Sequence, residues 1–187
     1  ATAEVIREDD AYQGIRVRVP CTLAGAKVTF RVDVNVGDPV WPTPSIVNVA
    51  RLLGGFVAVR GYPLSMVFAE KLVTAVQRGI ANTRWRDFAD LYLLAAHHSV
   101  SADELLESIA RVATHRQVAM LPLAAVLAGY EQFGQAKWFA WRNKQHLDDR
   151  LPAKFAQVLS AIQSFADPLL ERQVIGRSWD PQSNRWS

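Results

Sequence analysis

The periodicity of apolar residues changes once along the chain, near residue 64, and this change limits the folds available to it. From Ile15 to Val40 apolar and polar residues alternate, as in the segments GIRVRVP and KVTFRVDVNV. Alternation with period two and many β-branched residues predicts half-buried strands, and Gly25 between the two segments predicts a hairpin turn. The prolines of GDPVWPTPS predict a loop, and FVAVRGYP predicts one further short strand.

After Tyr62 the apolar residues follow the period of amphipathic helices. Capping residues and glycines predict helices over 65–78, 82–98, 101–115 and 122–134. Two more helices are predicted in the segments AKWFAWRNKQHL and LPAKFAQVLSAIQSFA, and the tail GRSWDPQSNRWS predicts a packed terminal arm with two tryptophans. The predicted class is α+β, with a small antiparallel sheet in residues 1–64 and a helical bundle in residues 65–187.

Composition and charge exclude several classes of protein. Half of the residues are hydrophobic and 21% are charged, which argues against disorder. The formal net charge of +3 is compatible with a polyanionic partner but does not require one. Cys21 is the single cysteine, which excludes an internal disulfide. No apolar run is long enough to span a bilayer, and a cytoplasmic protein is the simplest interpretation.

A short charged stretch, AEKLVTAVQRGIANTRWRDFADLYLL, places several charges close to the apolar faces of two predicted helices. The side chain of Lys71 either covers apolar surface with its stem or contacts a phosphate with its ammonium group. Asp87 and Asp90 are three residues apart and therefore share a helical face. The alternative to a functional site is a set of weak surface ion pairs.

Two further groups of residues each permit two interpretations. Asp33, on the polar side of an alternating strand, is either a solvated aspartate or a ligand for a hard cation such as magnesium. The basic segment from Gln132 to Lys154 contains Trp138 among its positive charges. It is either a nucleic-acid-binding helix, whose charges meet phosphates and whose rings stack on bases, or a solvated helix with its tryptophans in the core.

Four segments occur in an order and spacing that resemble the AbiEii/AbiGii nucleotidyltransferase toxins, including mycobacterial members that modify transfer RNA: YQGIRVRV, RVDVNVGDPV, GYPLSMVFAEKL and NTRWRDFADLYLL. The resemblance implies a polymerase-β-like nucleotidyltransferase fold, with metal-binding carboxylates on the sheet and a helical lobe for the nucleoside triphosphate (NTP) and the RNA. It also implies a toxin that adds nucleotides to the 3′ end of transfer RNA and blocks translation. The implied cofactor is Mg²⁺, and the implied partner is a cognate antitoxin, commonly with a winged helix.

The resemblance also assigns individual residues. It implies that Asp33 is a metal ligand and that Lys71 and Asp87 are catalytic, and we expect these three to converge on one cleft. The expected nucleotide-binding residues are Lys71, Asn82, Arg84 and Asp90. Independently of the resemblance, the basic segment predicts an RNA path bordered by Trp138, Arg142 and Lys144.

One motif of the family is absent from the sequence. A glycine turn followed by two carboxylates, G-S/G-x-x-D-x-D, is expected before Tyr12, where the only acids are Glu4, Glu8, Asp9 and Asp10. With one carboxylate of three, we expect the chain to be shortened and to hold magnesium poorly. The alternative functions are therefore a truncated, non-catalytic remnant that keeps an RNA- or antitoxin-binding surface, and a plain helical interaction module.

Overall fold

The computed structural model describes residues 1–6, 14–35, 37 and 39–187, and its helices and antiparallel sheets confirm the α+β class. The chain divides into two compact units, Ala1–Pro39 and Val40–Ser187. The change of periodicity predicted near residue 64 coincides with the start of the first helix. The division between the units falls earlier, so the strands between residues 45 and 61 belong to the unit that contains the helices.

The first unit contains an antiparallel sheet in the order β1-β2-β3, with strands Thr2–Ile6, Gly14–Leu23 and Ala26–Asn35. The predicted hairpin is confirmed, because Leu23 pairs with Ala26 and Gly25 in the turn has a φ of 85°. A positive φ is strained for residues with a Cβ atom, which explains the glycine. The first strand of the sheet was not predicted.

The second unit begins with a hairpin of β4 and β5, which is followed by the helices and by a small sheet of β6, β7 and β8. Its strands are β4 Ser45–Ala50, β5 Phe56–Gly61, β6 Val100–Ser101, β7 Ser178–Asp180 and β8 Arg185–Trp186. Its α-helices are α1 Leu64–Arg78, α2 Trp85–His97, α3 Ala102–Arg116, α4 Leu123–Val126, α5 Tyr130–Lys144 and α6 Phe155–Leu170. A 3₁₀ turn, Gly79–Ala81, joins α1 to α2.

Most predicted helix ends are confirmed. Gly79, with a φ of 52°, follows the last residue of α1, and the Ser101 hydroxyl accepts a hydrogen bond of 3.5 Å from the Glu104 amide at the start of α3. The predicted helix over 122–134 is wrong, because α4 is a single turn and α5 begins after Gly129 and continues through Gly134. Gly134 does not end a helix but allows close packing in its interior.

The core of the second unit is strongly aromatic. The apolar residues that the structure describes as buried all lie between Met66 and Trp186. The two tail tryptophans confirm the predicted packed arm, since the Trp179 indole donates to the Ala95 carbonyl at 2.7 Å and the Trp186 indole to the Phe165 carbonyl at 2.9 Å. Among the described residues, no helix combines the length and the apolar character needed to cross a membrane.

Replacing Gly134 with alanine tests whether this glycine is required for packing. A Cβ atom at Gly134 would lie 2.9 Å from two carbons of the Phe155 ring and 3.4 Å from Trp85. Alanine favours a helix over glycine by about 1 kcal/mol, whereas overpacking a core costs about 1–3 kcal/mol. We therefore expect Gly134→Ala to lower the free energy of unfolding by up to about 2 kcal/mol in chemical denaturation, the net of these two effects.

The matched control is Ala140→Gly at an exposed position of the same helix, which reports the helix propensity of α5 without any change in packing. This control should lose about 1 kcal/mol. A Gly134→Ala variant that is more stable than the wild type would show that Phe155 moves away at little cost.

Candidate functional site

Helices α1 and α2 bring the charged residues of the predicted site together. Lys71 lies in the middle of α1, and Asp87 and Asp90 lie in the first two turns of α2. The Lys71 ammonium donates to Asp87 Oδ1 and to Asp90 Oδ2, at 2.8 Å in each case. The spacing of three residues between the aspartates places both carboxylates on the same face of α2, as predicted.

This cluster is partly shielded from solvent. The side chain of Lys71 is 17% exposed, that of Asp87 is 8% exposed and that of Asp90 is 38% exposed. Burial lowers the pKa of Lys71, but the hydrogen bonds and negative charges of Asp87 and Asp90 together raise this pKa by more, so it lies above its ordinary value. Lys71 is therefore a cation at neutral pH, and the two aspartates hold it in one position.

Arg84 adds a second cation to the cluster. Its Nε lies 2.7 Å from Asp87 Oδ2, so the two oxygens of Asp87 face two different cations. The backbone amide of Arg84 donates to the Asn82 Oδ1 atom at 2.9 Å. Asn82 is buried, and its side chain thus supports the turn that presents Arg84. The prediction that Asn82 contacts a nucleotide directly stays a prediction.

Tyr130 is a member of the site that the sequence analysis missed. Its hydroxyl group donates a hydrogen bond to the backbone carbonyl of Asn82, and its ring stacks on Trp85 with centroids 5.7 Å apart. Burial raises the pKa of Tyr130 to about 12, so the hydroxyl keeps its proton at neutral pH. Tyr130 therefore connects the turn before α2 to α5.

Asp33 lies in the first unit and pairs with an arginine. It is directly opposite Arg16 in the sheet, and its two oxygens accept hydrogen bonds from Arg16 Nε at 2.7 Å and from Arg16 Nη2 at 2.8 Å. Within the described ranges, no group of three or more His, Cys, Asp or Glu residues is arranged to hold a metal ion. Asp33 therefore belongs to no metal-binding cluster of the described residues, Asp9 and Asp10 lie outside those residues, and the magnesium site stays a prediction.

The structure contradicts the predicted RNA contact for two of the three residues expected to border an RNA path. Trp138 is fully buried and donates from its indole to the Pro152 carbonyl at 2.9 Å, so its ring has no free face for a base. Arg142 is also buried, and its guanidinium bonds to the Leu151 carbonyl at 3.0 Å and pairs with Asp148 at 2.9 Å. Lys144 is exposed, and its contact with RNA stays a prediction.

Comparison with known proteins identifies the class of this α+β chain as a nucleotidyltransferase-type toxin of a toxin–antitoxin system. A protein-family model described as "Nucleotidyl transferase AbiEii toxin, Type IV TA system" matches residues 1–177. The chain therefore belongs to the AbiEii family, which confirms the resemblance, and membership of a toxin–antitoxin family implies an antitoxin as partner. Searches of curated proteins and of solved structures found no match.

Proposed function

We propose that the protein transfers nucleotides from an NTP to the 3′ end of transfer RNA and thereby blocks translation. The family assignment supports a nucleotidyltransferase, and we propose a polymerase-β-like fold for it. The observation that carries the proposal is the cluster in which Lys71 and Arg84 both form ion pairs with the buried carboxylate of Asp87. Two cations held in place beside each other are suited to a triphosphate, since phosphoryl transfer depends mainly on positioning and charge neutralisation.

In the proposed reaction, the 3′ oxygen of the RNA bonds to the α-phosphorus of the NTP, and its proton passes to water. The bond between the α-phosphorus and the bridging oxygen breaks, and pyrophosphate leaves with the negative charge. Lys71 has three N–H donors, two of which bind Asp87 and Asp90, so one is left for a phosphate oxygen. Arg84 Nε forms an ion pair with Asp87, and its two Nη atoms have no partner among the described residues, so their donors are available for the same purpose.

Asp87 is assigned a positioning role in this proposal. It is largely buried and faces both cations, so it fixes the direction of the Lys71 ammonium and of the Arg84 guanidinium. Preorganised charges stabilise a transition state without reorganising during the reaction. Asp90 is more exposed and completes the pairing of Lys71. Magnesium stays the expected cofactor, and the roles assigned to these four residues do not depend on where it binds.

A second candidate function is a non-catalytic protein that keeps an RNA- or antitoxin-binding surface. One observation favours it, namely that the described residues contain no carboxylate cluster for a metal and that Arg16 bonds to both oxygens of Asp33. A polymerase-β-like transferase is expected to need such carboxylates, because metals stabilise the attacking and leaving oxygens. The two candidates differ in one observable property, which is turnover of NTP on RNA.

The test is incorporation of labelled nucleotide into transfer RNA by the purified protein in the presence of Mg²⁺. We expect a transfer RNA lengthened at its 3′ end, with a preference among the four NTPs offered one at a time. Transfer RNA whose terminal ribose has been oxidised by periodate lacks the 3′ hydroxyl and is the control that should stay unlabelled. RNA binding without incorporation from any NTP would contradict the transferase and support the non-catalytic candidate.

A further inference from the structure

Helix α5 has one broad face that the core does not cover. Its inner side is anchored by Tyr130, Gly134 and Trp138, which are buried. Two large rings point outward, with Phe133 72% exposed and Phe139 50% exposed. The outer face of α5 is formed by exposed residues that include Phe133, Ala136, Lys137, Phe139, Ala140 and Lys144.

The charge on this outer face has one sign. Lys137 and Lys144 are seven residues apart, which is close to two helical turns, so they lie on the same side of α5 about 10 Å apart along its axis. Phe133 lies one turn before Lys137 in the same row. None of the exposed residues of α5, a helix that the structure describes throughout, is acidic. This side of the face therefore combines the exposed ring of Phe133 with positive charge. Phe139, two residues after Lys137, lies on the other flank, where the Arg142 guanidinium carbon is 5.8 Å from its ring centre.

We infer that the outer face of α5 binds single-stranded RNA, with Phe133 stacking on a base and Lys137 and Lys144 contacting phosphates. Surfaces that bind single strands combine basic groups that follow the backbone with aromatic rings on which bases stack. A protein partner is the weaker match, because lysine is depleted in protein–protein interfaces. The inference rests on the proposed function, because it assigns a binding surface to the RNA that accepts the nucleotide. The RNA-binding role predicted for the buried Trp138 and Arg142 is assigned instead to exposed side chains.

The helix is suited to this role because its inner side is held firmly. The Trp138 ring packs on Phe155 with centroids 5.3 Å apart, and Gly134 lets the Phe155 ring lie close to the α5 backbone. A rigid helix presents its rings without a large loss of conformational freedom on binding. The outer side chains can therefore be replaced without disturbing the packing beneath them.

The experiment measures binding of fluorescently labelled transfer RNA, and of a labelled single-stranded RNA oligonucleotide, by anisotropy at several salt concentrations. The variant Phe133→Ala should raise the Kd by about 5-fold or more, the effect of losing one ring that stacks on a base. The double variant Lys137→Ala/Lys144→Ala should reduce the slope of log K against log salt by about one for each lost phosphate contact. Thermal midpoints should stay near the wild-type value.

A matched control replaces an exposed apolar residue and an exposed arginine elsewhere in the same unit, Ile175→Ala/Arg177→Ala. It should bind both RNAs as the wild type does. Wild-type affinity and salt dependence in the α5 variants would overturn the inference, as would a wild-type protein that binds neither RNA. Loss of inhibition by the antitoxin with unchanged RNA binding would also overturn it and would assign the face to a protein partner.

Parallel nucleotide-transfer assays separate this inference from the proposed function. If the wild type transfers no nucleotide but the α5 variants lose RNA binding, the transferase proposal fails and the RNA-binding face stands. If the wild type transfers nucleotides and the α5 variants bind RNA normally, the transferase stands and the inference about α5 fails.

Discussion

Replacing Lys71 with methionine is expected to lower nucleotide transfer by about 10²-fold or more, because a positioned donor that stabilises developing charge is typically worth several kcal/mol. The same variant should also be less stable. The Asp87 carboxylate is 8% exposed and would keep Arg84 but lose the Lys71 ammonium at 2.8 Å. A buried group left short of a hydrogen-bond partner costs about 1–3 kcal/mol. The measurements are the incorporation rate and the free energy of unfolding of the same preparations.

The double variant Lys71→Met/Asp87→Asn separates catalysis from stability. Removing the charge of Asp87 together with that of Lys71 avoids the cost of a buried carboxylate that has lost one of its two cations. The double variant should therefore recover part of the stability lost in Lys71→Met. Its transfer activity should stay as low as that of the single variant. Transfer at the wild-type rate by folded Lys71→Met would show that Lys71 is only a structural ion-pair residue.

Replacing Phe155 with alanine is expected to cause the largest loss of stability among single substitutions in the aromatic core. Phe155 is fully buried, and its ring centroid lies 5.3–5.5 Å from the rings of Trp85, Phe88, Tyr130 and Trp138. Truncating a buried phenylalanine costs about 3–5 kcal/mol through lost contacts and the remaining cavity. Chemical denaturation should show this loss as a lower midpoint with an unchanged slope.

The double variant Gly134→Ala/Phe155→Ala tests whether the two positions share one space. The methyl group at residue 134 would no longer meet the Phe155 ring and would fill part of the cavity, so the combined loss should be smaller than the sum of the single losses. Phe139→Ala, on the outer face of α5, is the control and should change stability by at most about 0.5 kcal/mol. Additive losses would show that the two positions are independent.

The parts of the fold that local chemistry encodes were predictable from the sequence. Gly79 ends α1 because a glycine readily adopts its positive φ, and Ser101 caps α3 through a contact three residues away. The strands β6, β7 and β8 were not predictable, because they have only two or three residues and no period. Val100 pairs with Trp179, from a distant part of the chain, so only tertiary packing creates these strands.

The candidate site was predictable to a different degree for each residue. The shared helical face of Asp87 and Asp90 follows from their spacing, whereas the contact of Lys71 with Asp87 was expected only from the family resemblance. The hydroxyl of Tyr130 donates to a backbone carbonyl. Because every residue has this group, the sequence does not indicate which residue Tyr130 contacts. The convergence of Asp33 with Lys71 and Asp87 stays a prediction, since Asp33 lies in the other unit.

The failed assignment of Trp138 has a specific cause. A helix that mixes basic and aromatic residues has the same composition whether its rings face the core or the solvent. Gly134 suggested a helix end, although α5 runs through it from Tyr130 to Lys144. A pattern that begins after Gly134 does not show which side of the helix faces the core, and Trp138 lies on that side whereas Phe139 is exposed.

The pairing of β6 with β7 and β8 makes folding of the helical unit depend on residues that are synthesised after all six helices. Phe165 packs against Trp179 and Trp186, at centroid distances of 5.0 and 5.4 Å, and both tryptophans leave the ribosome after all six helices. A nascent chain that ends before Trp179 exposes this side of α6 and lacks the indole donor to Ala95 at the end of α2. Chains released before Trp179 are therefore expected to present apolar surface to chaperones and proteases.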